Sequence, residues 1–536
     1  MTVALSSYIL CTYEKETQMK IVIVGGGTAG WISAIIASAR HPNHNITVIE
    51  SSKIAVVGVG ESTTGFFTSI LANGATNFGC DQHEFIKETG ATLKYAIKHK
   101  GWTNNIDDYY IGPIDGTTTN WFVPDVMFNY GLDKLSRQDM LKLSRLGHRI
   151  YHGSSNFNIH TKQFTNVKDH AYHIDAHLTG QYFKKICLQR NNIKFIDSEV
   201  LDVSLNEQGY VKDLSLSNGQ TVDGDLFIDC SGFNRVIMKH LPSKWISYKD
   251  NLPLNVGMPF NLKYKQDEIP EPYTTAWAQK AGWMWQIPLM DRKGCGYVYC
   301  DAYTTPDKAQ EEIETILGQE IDPIRTIKFS SGRQESAWIK NCVTIGLSSA
   351  FLEPLEAISI HSTIAQANNL FLECVKPTIN NTINEGSIAI YNKRTRIMYD
   401  ELKDFLVMHY MGGREDSEFW KYIKTGVTKT EVVKELLEMA KTNIPNINAV
   451  PDNPGGANWG LWSYVMEGIN VINKDVAGAE LSCIYDGINL AELAQLDYYE
   501  MNKQWDQDLQ NESTYKEFIE YFRGLIDEKE TSNTLR

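Results

Sequence analysis

The sequence predicts an α/β fold followed by a mainly helical C-terminal region, and three observations carry that reading. A buried strand, a glycine-rich turn, a helix and a second strand follow one another from Ile21 to Glu50. Two later buried strands, in Asp223–Gly232 and Cys342–Gly346, also close on glycine. Beyond about Val375 the strand-like runs give way to helical ones. With 536 residues the chain has room for two or three domains or one large elaborated fold. Its 42% hydrophobic and 22% charged content is that of a globular protein. A net charge of −14 without a dense basic stripe argues against nucleic acid and anionic membrane as partners. The nine cysteines are scattered, with no CxxC pair and no zinc-spaced His/Cys cluster. No metal is therefore expected, and a reducing, cytoplasmic setting is.

Residues 1–18 read as a flexible extension before Met19 and Lys20. Thr2 to Leu10 is mildly apolar but has no basic leader. The apolar run Ile21–Ala39 is broken by glycines, Thr28 and Ser33, which suits a strand, turn and helix better than a membrane span. Ile21-Val-Ile-Val24 leads into Gly25-Gly-Gly27-Thr-Ala-Gly30, then a helix to Arg40, then Ile46–Glu50. Each element of the dinucleotide fingerprint is present, including an acid about 20 residues on. Gly25 allows the tight turn, Gly27 the approach of a pyrophosphate, and Gly30 the close helix–strand packing. The helix N-terminus faces the phosphates and Glu50 a ribose hydroxyl. The pattern says dinucleotide and leaves FAD and NAD open. Val57-Gly-Val-Gly60-Glu-Ser-Thr63 then reads as a closely apposed backbone strap.

Asp81 to Lys100 reads as helical. Its lysines Lys87, Lys94, Lys98 and Lys100, like Lys53 before it, are by default solvated. Residues 103–160 are rich in Asn, Asp, Gly and Tyr and read as loops with short helices over a cavity. An amphipathic helix spans Asp175 to Arg190, a strand-like run covers Ile193 to Val203, and Asn206-Glu-Gln-Gly209 makes a hairpin turn. Gly282-Trp-Met-Trp-Gln-Ile-Pro288 places Trp283 and Trp285 on one face of a strand that Pro288 ends. Tryptophan as core volume explains the pair equally well on spacing alone. A strand Gly296–Asp301 and a helix Pro306–Leu317 follow. The strand Cys342–Ile345 then runs through Gly346 toward Glu353-Pro-Leu-Glu356 and a helix starting near Leu355. From there to Arg536 the chain is mainly helical, with a loop at Asn443–Asn458.

Taken together, the dinucleotide loop, the Gly-Val-Gly-Glu-Ser-Thr strap, the Trp-x-Trp-x-Ile-Pro segment and the Asn341–Glu356 unit resemble the flavin-dependent halogenases. The likeness is to the tryptophan-halogenase family, its viral members included. It implies an FAD-binding Rossmann-like domain of the two-dinucleotide-binding, hydroxylase type over residues 19–375, with inserted substrate-side loops and strands. Residues 376–536 would form a helical region contributing to the substrate site. It further implies cofactor contacts from Gly25, Gly27, Thr28, Ala29, Gly30, Glu50, Ser51, Val57, Val59, Ser62, Val200, Leu347 and Ile360. Lys94, in a Lys-x-Ala-Ile-Lys context before Trp102, matches the family's essential lysine, and Glu356 its carboxylate partner. By the same likeness, FADH2 from a separate flavin reductase reacts with O2, and halide is oxidised to hypohalous acid. The acid crosses a tunnel to Lys94, which holds it by hydrogen bond or as an N-haloamine. Glu356 would pair with Lys94 and orient the electrophile or take the ring proton. Trp283 and Trp285 would keep a small aromatic substrate away from the flavin. A homo-oligomer is left open.

Two departures matter. Chlorinating members carry Ser-Thr-Gly-Ile after Glu-Pro-Leu-Glu, with Thr and Gly amides at the halide; here Ala357-Ile358-Ser359-Ile360 stands instead. Ile358 and Ser359 thus become the halide-site residues, and their added bulk predicts bromide and iodide over chloride. The aromatic run that grips free tryptophan is represented only by Asn458-Trp459-Gly-Leu-Trp462-Ser-Tyr464. Phenols, indoles or other electron-rich arenes are expected instead. The competing readings are a flavin-dependent aromatic monooxygenase, an NAD-dependent dehydrogenase and a non-catalytic FAD-binding protein.

Overall fold

Burial of a short strand on both faces sets the first sheet. Ile21, Val22, Ile23 and Val24 are all buried, as a parallel strand between covering layers must be, and each buried aliphatic side chain contributes about 1.5–3 kcal/mol. The computed structural model describes residues 18–54, 58, 60–73, 76–114, 139–375, 383–445, 449–450, 459–482, 484–485 and 487–534. In it Lys20–Val24 lies between Asn45–Glu50 and Leu226–Asp229, parallel to both. Ile193–Asp197 extends the sheet on one side. Cys342–Thr344 and the antiparallel Trp338–Ile339 extend it on the other. The three segments that end in glycine turns therefore meet in one six-stranded sheet. Helix Thr28–Arg40 crosses between the first two strands. A Cβ on Gly30 would lie 1.8 Å from the Gly25 carbonyl oxygen, so only glycine allows this approach.

The run Ile193–Val203 is two strands rather than one. Ile193–Asp197 stays in the parallel sheet, whereas Val200–Leu205 pairs antiparallel with Val211–Leu216 across the Gly209 turn. The helix expected over Asp175–Arg190 is Ala176–Cys187, capped by the Asp175 carboxylate, which accepts from the Leu178 amide. The Pro306–Leu317 helix forms as expected.

Residues 81–100 require a correction. The helix is only Gln82–Thr89, started by Asp81 and stopped by Gly90 in the left-handed region at φ 65°. Beyond it Thr92–Lys94 and Ala96–Lys100 are strands. The alternation of Leu93, Tyr95 and Ile97 with Thr92, Lys94 and Ala96 is a strand period, and it outweighs the helical context upstream. Lys94 therefore projects from a strand.

A second sheet has seven strands. Its order is Ile327–Lys328, Val256–Lys263, Arg292–Tyr299, Gly282–Pro288, Tyr273–Ala278, Ala96–Lys100 and Tyr109–Pro113. The double-tryptophan strand is central, and the Lys94 segment runs into its flank. Residues 103–160 supply the edge strand Tyr109–Pro113 and the helix Arg145–His152, with 115–138 outside the described residues. Residues 1–17 and most of the 443–458 loop also lie outside them.

The C-terminal region is helical, led by Glu385–His409, Leu490–Leu509 and Tyr515–Thr534. It is not cored separately. Phe405, Trp420 and Trp462 pack with Trp283 and Tyr297, while Phe518 and Phe522 join the core of the first sheet. No described helix is long and apolar enough to cross a membrane.

A buried ion pair fastens the last helix region to the 145–174 insertion. The Arg149 guanidinium donates to Glu512 at 2.7 and 3.0 Å, with the two side chains 2% and 0% exposed. Removing one partner leaves the other charge buried and uncompensated. Arg149→Met is expected to cost about 3–5 kcal/mol, measured as a fall in Tm and in the urea midpoint; an unchanged midpoint would contradict the burial of Glu512.

Candidate active site

The cavity at the C-terminal end of the first sheet has a volume of about 590 Å³. Gly25, Gly27, Thr28, Ala29, Glu50, Ser51, Val200, Leu347 and Ile360 line it, as the sequence predicts for cofactor contacts. Gly30 does not; it packs the helix onto the strand. A Cβ on Gly27 would meet nothing within 4 Å, so this backbone faces open cavity at a helix N-terminus, the arrangement that suits a pyrophosphate. Glu50 is held by Lys184 at 2.8 Å, and its side chain fills the space a Cβ on Gly26 would need. Gly26 is thus a further required glycine that the fingerprint does not name.

A second cavity of about 330 Å³ adjoins the first, sharing Glu61, Phe233, Leu347 and Ser359 in its wall. Ser62, Trp285, Pro354 and Ala357 also line it. Val57 and Val59 lie outside the described residues. Glu61 was not anticipated: burial, with the nearby Asp175 charge, pushes its carboxyl up to about 7. Its signal was the conspicuous acid in the strap.

Lys94 is fully buried. Its Nζ donates to the Thr63 carbonyl at 3.0 Å, so the strap itself holds the amine. Burial draws the ammonium down to about 7, against the raising effect of the Glu356 charge. The strand is fixed from two sides. Thr92 Oγ1 donates to the Pro288 carbonyl at 2.6 Å and is 3.0 Å from His173 Nδ1, which must therefore carry the hydrogen. His173 Nε2 then accepts from Thr274, which is 2.9 Å from Ser62 on the strap. Tyr515 donates to the Leu93 carbonyl.

Glu356 ends a short 3-10 turn, Pro354–Glu356, before Ala357 takes φ 57° and helix Ile358–Asn368 begins. Lys94 and Glu356 reach the same centre but do not form the expected direct ion pair. Glu356 Oε1 instead lies 2.8 Å from His409 Nε2 and 3.1 Å from His99 Nε2. Burial alone would raise this carboxyl; the hydrogen bond from His409 and the closeness of His99 hold it well below the usual range. Neither histidine was found from the sequence, because 310-odd residues of chain separate them and only pairing of the two elements brings them together.

Trp283 and Trp285 do share a strand face, with ring centroids 6.4 Å apart and planes at 64°. They form a step, not a flat wall. Trp285 borders the second cavity and overlies Gly296, where a Cβ would collide with its ring. Trp283 is buried against Trp102 and donates to Glu353 at 3.3 Å. Glu353, pushed up to about 7 by burial, also receives the Tyr410 hydroxyl. At the helix start the Ile358 side chain packs in the core and borders neither cavity, so its bulk does not shrink the site; Ser359 borders both.

The tryptophan halogenase family model matches residues 20–477. The chain belongs to the tryptophan halogenase family. The halogenase is 31% identical over 80% of its length to tryptophan 6-halogenase SttH of Streptomyces toxytricini, covering 84% of that protein. It is 30% identical over 75% of its length to tryptophan 7-halogenase RebH of Lentzea aerocolonigenes, covering 78% of it. Among solved structures, Tar14, a tryptophan C-6 flavin-dependent halogenase (chlorinase) from taromycin biosynthesis, superposes with a TM-score of 0.83 at 26% identity. That match covers 94% of this chain and 100% of the other. The protein is accordingly a flavin-dependent halogenase with an FAD-binding Rossmann-like fold and a helical C-terminal region.

The buried amine gives the halogenase a pH signature. With Lys94 at about 7 in the fold and at the ordinary 10.5 when unfolded, the unfolded chain binds more protons between those values. Stability lost to this lysine is therefore largest at and below about pH 7 and recovers as pH rises toward 10.5. Lys94→Met is expected to raise Tm by several degrees at pH 7, a gain that shrinks by pH 10; a gain independent of pH would contradict the burial cost.

Proposed function

We propose that this halogenase places an oxidised halogen on an electron-rich arene through Lys94, with bromide or iodide used better than chloride. The observation that carries the reading is the sealed amine of Lys94, held on the strap that borders both cavities and drawn to about 7 beside Glu356. Bound FADH2, renewed by a separate flavin reductase, supplies with O2 the oxidising power that turns halide into hypohalous acid. Gly25, Gly27, Thr28, Ala29 and the helix N-terminus hold the pyrophosphate, and Glu50 the ribose. Ser51, Ser62, Val200, Leu347 and Ile360 border the rest of the cofactor. Gly30 acts through packing.

The halide sits at the start of helix Ile358–Asn368, where the Ile358 and Ser359 amides have no intrahelical acceptor. Ser359 adds a hydroxyl to that wall and removes the flexibility of glycine. A larger, less strongly hydrated halide tolerates such a site better. Trp285 closes the cofactor side, and Trp283 and Trp102 the far side, so small hypohalous acid passes while an arene does not. Lys94 positions the electrophile on a directed donor, which confines an otherwise indiscriminate oxidant. Neutral amine is the form that attacks it, and Glu356 takes the ring proton.

The test is product mass spectrometry on a panel of phenols, indoles and free tryptophan, with FAD, NADH, a generic flavin reductase and each halide. Halogenated product from wild type and none from Lys94→Ala is the expected result, with kcat rising through about pH 7. Equal product from both would assign the chemistry to leaked hypohalous acid, and a gain of one oxygen to a monooxygenase. In equimolar competition, brominated or iodinated product should exceed chlorinated product; chloride matching them would overturn the halide assignment.

A further inference from the structure

The two histidines on Glu356 carry an inference of their own, which rests on the proposed role of Glu356 as base. His409 Nδ1 is 2.9 Å from the Phe405 carbonyl, which can only accept, so Nδ1 carries a hydrogen. In a neutral ring Nε2 would then present a lone pair to Glu356 Oε1 at 2.8 Å, lone pair against lone pair. The contact requires a proton in the gap. His99 Nε2 reaches the same oxygen at 3.1 Å. Its ring is fixed by stacking on Tyr110 at 4.6 Å and by packing against Trp102 and His409. Both histidine side chains are at most 2% exposed. Oε2 takes part in neither contact.

We infer that His409 and His99 are positioning residues: one proton is kept between His409 Nε2 and Glu356 Oε1, His99 packs its Nε2 against the same oxygen without a hydrogen bond of its own, and Oε2 is left to serve the arene. The charged and titratable groups acting on this carboxylate are Lys94 from its strand, His99 from the strand that follows and His409 from the long helix; Tyr110 stacks on His99. When halogen has added to the ring, the ring C–H bond breaks and its electron pair restores aromaticity. The proton goes to Oε2 while Oε1 keeps its His409 donor. The His409 hydrogen bond, with His99 packed against the same oxygen, fixes the carboxylate in one rotamer and keeps it ionised, so it does not recombine with a proton from Lys94 between turnovers.

The experiment uses the full chain with His409→Phe, His99→Phe and the conservative His409→Gln, whose amide still donates to Oε1. Flavin affinity and Tm identify variants that fold. In wild type, 15N-histidine NMR at pH 7.5, assigned against His409→Gln, should show both His409 nitrogens protonated or Nε2 sharing its proton. His409→Phe should lower kcat about tenfold to a hundredfold and leave KM for the arene within about twofold. His99→Phe should do the same to a smaller degree, and His409→Gln should recover most of kcat. A bare Nε2 lone pair in wild type, or a stoichiometric divalent metal bound in place of the proton, overturns the inference. So does a His409→Phe enzyme with an unchanged kcat, or one altered in KM alone. The NMR result stands whether or not the wild type halogenates, so failure here is distinct from failure of the proposed function.

Discussion

An amine buried without a direct counter-ion is the constraint on which the centre of this protein depends. Lys94 has given up water for one backbone carbonyl, that of Thr63, and for the field of a carboxylate that does not touch it. Such a group is tolerated only when its surroundings are over-determined. The surroundings are. The strand carrying Lys94 is tied to Pro288, to His173 and through Thr274 to Ser62, and Tyr515 closes it from the C-terminal helix. Because the same strap borders both cavities, the geometry of the amine and the shape of the cofactor space are set together.

The carboxylate side is built by different means. Glu356 stands between a left-handed Ala357 and a short 3-10 turn, and its charge is stabilised by two buried histidines from elements far apart in the chain. Lys94 and Glu356 are close enough for the carboxylate to act on the amine, but they form no direct ion pair. A tight ion pair would have returned the amine toward its ordinary range and occupied the carboxylate. Strain at Ala357 and burial at Lys94 and Glu353 are costs that the surrounding cores, shared between the sheets and the C-terminal helices, offset.

The tryptophan pair links these halves. Trp285 faces the cavity that adjoins the dinucleotide cleft, and two residues back on the same strand face Trp283 packs against Trp102 and donates to Glu353. The strand sits in the middle of a seven-stranded sheet, and its neighbours fix its register on both edges. The tilt between the rings leaves a step instead of a flat barrier.

Much was legible in the sequence where the chemistry is local. The Gly25–Gly30 turn, the strand before it and Glu50 after it lie within one βαβ unit, so periodicity and spacing suffice. The same holds for the Asp175 cap, the Gly209 hairpin and the strand that ends at Pro288. Lys94 could be singled out by its motif; its strand was missed although Gly90 is the usual helix-stopping residue and residues 92–97 alternate as a strand. Only the tertiary structure decided that Lys94 meets Thr63, that His99 and His409 converge on Glu356, and that Ile358 turns into the core while Ser359 remains at the cavities. Those contacts join segments far apart in the chain, and their chemistry depends on burial and orientation, which sequence order does not encode locally.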